Sequence, residues 1–335
     1  MYKIQLTNNS EIFQKAQGDG GEMGNSFLQS FEYGELQKRL GHEPLYLILE
    51  KDGKERALLF VLFKAKRGTY LFCPYGVIDE EMMESLIPFL KNLAKEHHVD
   101  FLRFSPLLED SLESKNLFRK YSFRNAPVHM MHPELLWLLN LDKDEKTLMQ
   151  DMRKNTRYAL KQAGKLDIKI KSGVTDDLLK EFYEIHAETS RRQKFVPYPY
   201  EYLKAQLDIF GAKDQIKIYV AEYEGKNISA AVIMFYGKEA VYHHGASLSE
   251  YNKIPSSYLI QWKAIKEAQK RGLPNYNFWG VVENAPKHPW AGLSFFKQGF
   301  GGEGKNILHC QDLPLTWKYW LNFLVETVRR IKRGY

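Results

Sequence analysis

Lys297 stands between aromatic residues and a glycine run, in Gly292-Leu293-Ser294-Phe295-Phe296-Lys297-Gln298-Gly299-Phe300-Gly301-Gly302-Glu303. An ammonium group set in an apolar wall can hold an anion or an oxyanion with little competition from water. The glycines suit a tight turn that lets another molecule approach the backbone. The plain alternative is a surface lysine beside a core aromatic. A second candidate is the run Arg153, Arg157 and Lys161, one cation every four residues. Lys154, Lys165, Lys169 and Lys171 extend it, against only Asp151 and Asp167. Like charges at that helical spacing repel by roughly 0.2–0.5 kcal/mol per pair. The stripe therefore reads either as a solvated face or as a track for phosphates.

Two further clusters carry chemistry. Arg191-Arg192-Gln193-Lys194-Phe195-Val196-Pro197-Tyr198-Pro199-Tyr200-Glu201-Tyr202 is a stiff, basic and aromatic loop that enters a helix. His243-His244 ends a strand before Gly245-Ala246-Ser247. A histidine there can titrate near neutral pH and take a proton, although most strand histidines are satisfied core groups. His129-x-x-His132 and His309-Cys310 lack the count and spacing of a zinc site, so no metal is expected. Gly18-Asp19-Gly20-Gly21 has no Gly-Lys-(Ser/Thr) after it and reads as a turn, not a phosphate loop. No cofactor is called for.

These residues need elements to hold them. The 335 residues suffice for two cores. Residues 44–75 read as a three-strand meander with a hairpin at Asp52-Gly53. A helix over 79–97 and a strand at 100–104 follow. The order recurs. A helix over 143–163 ends at Gly164, and helices near 175–190 and 199–210 precede a second meander over 216–244. A helix over 256–270 then leads to a strand at 276–279. Two similar α/β domains, related by duplication, are expected. A last helix over 317–332, with Thr316 as N-cap, has an aromatic side of Trp317, Trp320, Leu321, Leu324 and Val328. That side is expected to pack on a domain, and a role at a membrane surface is the minority reading.

A net charge of +7 and 44% hydrophobic residues describe a basic globular protein. No apolar run approaches the roughly 20 residues of a spanning helix, and the start has no signal-peptide character. A soluble cytoplasmic protein is expected. Cys73 and Cys310 form no disulfide framework and read as buried small hydrophobes.

Met152-Arg153-Lys154-Asn155-Thr156-Arg157-Tyr158-Ala159-Leu160-Lys161-Gln162-Ala163 resembles the basic helix of the FemABX family of peptidyl transferases. The Phe296-Lys297-Gln298-Gly299-Phe300-Gly301-Gly302 run resembles that family's C-terminal signature. Ser26-Phe27-Leu28-Gln29-Ser30 with Tyr33-Gly34 is similar to its N-terminal region. Together they spread over nearly the whole chain. The resemblance implies two tandem GNAT-like domains of the acyl-CoA N-acyltransferase type, with mixed sheets flanked by helices. The first would comprise 1–140 plus 317–335, the second 141–316. No heptad insertion is visible, so the compact type without a coiled-coil arm is implied.

The same resemblance implies an activity: a monomeric enzyme moves an amino acid from aminoacyl-tRNA to the stem-peptide amine of lipid II or UDP-MurNAc-pentapeptide. Lys297, beside Phe296, would then stabilise the oxyanion at the aminoacyl end. Arg153, Lys154, Arg157 and Lys161 would follow the tRNA backbone. Tyr198 and Tyr202 fall where relatives place a substrate-contacting arginine and tyrosine, with Arg191 or Arg192 as substitutes for the arginine. His244 falls at a tyrosine near the acceptor site. Ser105 falls where relatives carry an acid and cannot itself act as a carboxylate base. Gln37 and Lys38 fall near a lysine that contacts the precursor. Two other readings stay open, an N-acyltransferase using acyl-CoA and a non-catalytic RNA-binding module. Residues 249–257 lack the glycine pair of a CoA pyrophosphate loop, which weighs against the first.

Overall fold

The computed structural model describes residues 1–18, 20 and 24–333; Asp19 and Gly21 of the glycine-rich turn lie outside them. From the N-terminus the elements are β1 (Lys3–Thr7), α1 (Ser10–Gln17), α2 (Phe31–Arg39), β2 (Glu43–Lys51), β3 (Lys54–Ala65), β4 (Gly68–Gly76), α3 (Glu80–Glu96), β5 (Phe101–Pro106), α4 (Leu112–Lys120) and β6 (Arg124–Asn125). Then come β7 (Leu135–Asn140), α5 (Glu145–Asp151), α6 (Lys154–Ala163), β8 (Lys169–Gly173), α7 (Asp176–Gln193), α8 (Tyr200–Gly211), β9 (Ile216–Tyr223), β10 (Lys226–Tyr236) and β11 (Glu239–Ser247). The last are α9 (Ser256–Lys270), β12 (Asn275–Gly280), α10 (Ala291–Gln298), β13 (Glu303–Asn306), β14 (Gln311–Pro314) and α11 (Lys318–Arg333).

The chain divides into Met1–Glu134 with Asn306–Tyr335, and Leu135–Lys305. Each unit holds one seven-stranded mixed sheet. The first runs β1-β2-β3-β4-β5-β14-β6, the second β8-β9-β10-β11-β12-β7-β13. In both, the fourth and fifth strands are parallel and the pairs on either side antiparallel. Two helices separate the first two strands and one crossover helix joins the parallel pair, α3 in one unit and α9 in the other. Even the first long hairpin repeats. Asp52-Gly53 carries φ of +51° and +74°, and Glu224-Gly225 carries +50° and +75°. Those positive angles are what a two-residue turn between twisted strands requires. The repeat expected from sequence is thus present in the strand order.

The sixth position of each sheet is filled from elsewhere in the chain. β7 follows β6 directly yet pairs with β12, and β14 follows β13 yet pairs with β5 and β6. The unit boundaries therefore fall at 134 and 306, ahead of the 140 and 317 expected from sequence.

Apolar residues alternate inward along the strands and meet the helices' apolar stripes. In the first core Leu47, Phe60 and Leu71 pack with Leu86 and Leu90 of α3. In the second, Ile233, Tyr242 and Phe278 pack with Ile260 and Ile265 of α9, and with Leu148, Met152 and Leu160. Cys73 and Cys310 are buried and free. Gln29 acts as a piece of strand. Its amide donates to the Leu59 and Pro74 carbonyls at 3.1 and 2.5 Å and accepts from Leu59 N at 2.8 Å.

Two expectations change. The helix expected over 143–163 is broken, because Met152 and Arg153 are extended. The Arg157 guanidinium reaches back to the Gln150 carbonyl at 2.9 Å and to that of Met152, which would otherwise end α5 unsatisfied. The aromatic side of α11 does not pack on a domain: Trp317, Trp320, Leu321, Leu324 and Val328 are exposed. The helix docks instead through Tyr319 and Asn322. Thr316 Oγ1 accepts from Lys318 N at 3.3 Å and donates to Asp100 at 2.6 Å. Among the described residues no helix is long and apolar enough to cross a membrane.

Candidate active site

The two sheets differ at their parallel pairs. In the first unit β4 and β5 pair from Tyr70–Phe101 to Gly76–Pro106, with one register shift at Tyr75, whose φ is +47°. In the second, β11 and β12 pair only through Glu239–Val241 and Asn275–Asn277. Beyond that point each strand is distorted. β11 has a bulge at His243, with Tyr242 opposite Ile233 and His244 opposite Val232. β12 carries Trp279 at φ +64°, its N–H turned onto Asn277 Oδ1 at 2.8 Å. A bulky residue at positive φ costs on the order of 1–3 kcal/mol and persists where its surroundings over-determine it. The distortions end the β11–β12 ladder early and re-aim the side chains of both strands.

Lys297 reaches this place from α10. Its Nζ donates to the Gly280 carbonyl at 2.7 Å and lies 5.7 Å from the centre of the Tyr242 ring. Ser294, one turn earlier, accepts from Val282 N at 2.8 Å, so two bonds tie α10 to the end of β12. Lys297 is 5% exposed. Among the described residues no carboxylate lies within ion-pair distance, and burial pushes the ammonium down to about 7. The ammonium read from the sequence as a fixed cation therefore titrates near neutrality.

Phe296 packs against Tyr258 and Phe300, with ring centres 4.8 and 5.5 Å away. Phe295 is exposed beneath the Arg153 guanidinium, 3.8 Å from its ring centre. The glycine run is approached by the chain's own atoms. A Cβ on Gly299 would lie 2.4 Å from Thr156 Oγ1, and one on Gly302, at φ +89°, 2.3 Å from the Leu138 carbonyl oxygen. These glycines let α6 and β7 close against the run.

On the opposite face of β11, His244 meets α7 and the loop before α8. Its ring centre lies 5.4 Å from Tyr198, 6.1 Å from His186 and 3.9 Å from His243. Tyr198 stacks on Tyr202 at 4.4 Å, and Trp279 stands edge-on to His243 at 6.0 Å. The structure thus brings together His243, His244, Tyr198 and Tyr202, and adds His186 and Trp279, which sequence reading did not place there. Burial lowers His243 to about 4. Burial first, then the neighbouring imidazoles, hold His244 well below its usual value. This corrects the expectation of a base titrating near pH 7: His244 is a neutral ring. Among the described residues its buried Nε2 and the buried Nδ1 of His186 have no hydrogen-bond partner. Arg191 and Arg192 are both exposed and donate to the Ala187 and Ser247 carbonyls at 3.4 and 3.0 Å.

The basic stripe separates by role. Arg153 and Arg157 are bound to carbonyls of their own chain. Lys154, Lys161 and Lys165 are exposed. In the first unit Gln37 is buried, and Lys38 is exposed, 3.8 Å from Glu35. Ser105 Oγ is buried and lies 3.2 Å from Nδ1 of His132, a pairing whose partners are 27 residues apart and that no local pattern signals.

Two like-built mixed sheets in tandem, one with its parallel pair opened beside a buried lysine, make up a tandem GNAT-like fold. The chain belongs to the FemAB family, whose profile matches residues 21–226 and 221–308. It is 25% identical to a UDP-N-acetylmuramoylpentapeptide-lysine N(6)-alanyltransferase of Weissella viridescens, over 78% of this chain and 84% of that protein. It is 21% identical to a lipid II:glycine glycyltransferase of Staphylococcus haemolyticus, over 90% of each. The crystal structure of FemX superposes with a TM-score of 0.84 at 16% identity, covering 97% of this chain and all of that one. A tandem GNAT protein from the clavulanic acid biosynthesis pathway gives 0.58 at 11% identity, covering 94% of this chain and 98% of that one. At these identities the two structures speak for the fold alone.

Proposed function

We propose that this chain is an aminoacyltransferase that adds an amino acid to the stem-peptide amine of a peptidoglycan precursor, with aminoacyl-tRNA as donor. The observation that carries the reading is Lys297: a buried ammonium without a carboxylate, held on the Gly280 carbonyl at the opened strands. Such a group gains most when negative charge arrives beside it. The acceptor amine attacks the ester carbonyl of the aminoacyl end. The C–O bond to the ribose breaks, and the amine proton leaves with the ribose oxygen. Lys297, its charge favoured by the incoming phosphates, stabilises the tetrahedral oxyanion between those steps. His244 is too weak a base to keep the proton and serves as a hydrogen-bond acceptor that orients the amine, with Tyr198 and Tyr202 beside it. Phe296 fixes the wall behind the lysine. Lys154, Lys161 and Lys165 provide free cations for the tRNA backbone, a contact that positions without reading sequence.

The names of the two relatives, one acting on a UDP-linked pentapeptide and the other on lipid II, support the acceptor class. Against acyl-CoA stands the entry to α9. Pro255 caps it without a side-chain hydrogen bond, and no glycine lies in the approach from Ser249.

The test is a transfer assay read by mass spectrometry, with a charged tRNA pool and, separately, UDP-MurNAc-pentapeptide and lipid II. A gain of one amino-acid residue, abolished by ribonuclease and by Lys297→Met, is the expected result. Acyl transfer from a CoA thioester instead would overturn the donor. RNA binding with no transfer to any acceptor would reduce the chain to a binding module.

A further inference from the structure

We infer that the outer face of α11 is a docking surface for an anionic lipid bilayer. The helix is fixed by its inner face. Arg103, 2% exposed, bridges Asp312 at 2.7 and 2.8 Å and Glu326 at 2.8 and 3.2 Å. Tyr319 is fully buried, and its hydroxyl donates to Asp312 at 3.3 Å. The outer face is a continuous apolar stripe of Trp317, Trp320, Leu321, Leu324, Val328 and Ile331, with Leu324 62% and Ile331 71% exposed. At 1.5 Å per residue the stripe is about 21 Å long.

Charge selects the occupant. α11 carries Lys318, Arg329, Arg330 and Lys332, all exposed, and among the described residues none of them forms an ion pair. Its one acid, Glu326, is turned to the inner face and bound to Arg103. Arg124, on β6, lies 4.7 Å over the Trp320 ring and adds another cation at the stripe's edge. An apolar face of tryptophan and leucine, rimmed by free cations and without an acid, is what a helix lying in a lipid interface presents. Each cation near an anionic surface contributes about 1 kcal/mol. A second copy of this face would oppose cation to cation, and a nucleic acid would leave Leu324 and Ile331 in water.

The inference stands apart from the transfer reaction, because its readout is lipid binding. The full chain is sedimented with vesicles of phosphatidylglycerol and phosphatidylcholine, and with vesicles of phosphatidylcholine alone. Binding is expected to the anionic vesicles and to weaken with salt. Leu324→Glu with Ile331→Glu, and separately Arg329→Glu with Arg330→Glu, should each weaken it by at least about tenfold. These side chains are exposed, so circular dichroism melts should match the parent and exclude misfolding. Absence of binding to anionic vesicles overturns the inference. So does a dimer in light scattering that Leu324→Glu with Ile331→Glu turns into a monomer, which would make the face a subunit interface.

Discussion

Lys297 is held where its own charge is disfavoured, and this has a measurable sign. Its value of about 7 in the fold lies below the 10.5 of an unfolded lysine. Between those values the unfolded chain binds a proton that the folded chain does not, so stability rises with pH across that window. Below about 7 the full cost is present. Lys297→Met removes it and should stabilise the protein at pH 6 by about 2–5 kcal/mol in urea unfolding, with the gain shrinking toward pH 10.5. Transfer by the same variant should fall by about 100–1,000-fold. The histidines act with the same sign in a more acid window. His243, near 4, and His244, held well below its usual value by burial, stay neutral while the unfolded chain protonates. Stability is therefore lost as pH falls from about 6.5 toward 4, and His244→Gln should flatten that loss in a series of melts at different pH. At this scale the sequence showed Lys297 and His244 as candidates but not their protonation. Burial depends on α10 and α7 folding onto β11 and β12, and those contacts are far apart in the chain. The Ser105–His132 pair was illegible for the same reason.

At the scale of elements, the break at Met152–Arg153 decides what the basic stripe can do. Arg157 closes the end of α5, so Arg157→Ala should lower stability by about 1–2 kcal/mol in denaturant unfolding. Replacing Lys154, Lys161 and Lys165 together by alanine should leave stability within about 0.5 kcal/mol of the parent. It should also weaken tRNA in filter binding and lower the slope of affinity against salt by roughly two to three. Loss of tRNA affinity in Arg157→Ala alone, without loss of stability, would reverse this division. The long helices and both meanders were legible because their apolar period is sustained. The break was not, since every residue of 143–163 is compatible with a helix and only the carbonyls of Gln150 and Met152, seen with Arg157, reveal the stop. The apolar side of α11 was legible as a pattern, but a pattern does not say which side is covered. Arg103, Asp312 and Glu326 settle that, through contacts some 210–220 residues apart.

For the whole molecule the governing feature is the exchange of sixth strands between the sheets. Arg103 depends on Asp312 of the returning strand, and Asp312 is fully buried. Arg103→Leu leaves that carboxylate in the core with the Tyr319 hydroxyl but no cation, and should cost about 3–5 kcal/mol, read as a shift in the urea midpoint. Glu326→Gln, at a partly exposed position, should cost less.

The exchange also bears on how the protein is made. Residues 135–305 form their sheet from one continuous stretch, and that sheet can close as soon as they leave the ribosome. The sheet begun at Lys3 still lacks β14 then. At roughly 5–20 residues per second, the interval between β6 and β14 lasts on the order of 10–35 s. Throughout it β5 presents an open edge and Arg103 has no carboxylate, the kind of exposed strand on which nascent chains aggregate or recruit chaperones. In biosynthesis, the half translated first is the half completed last.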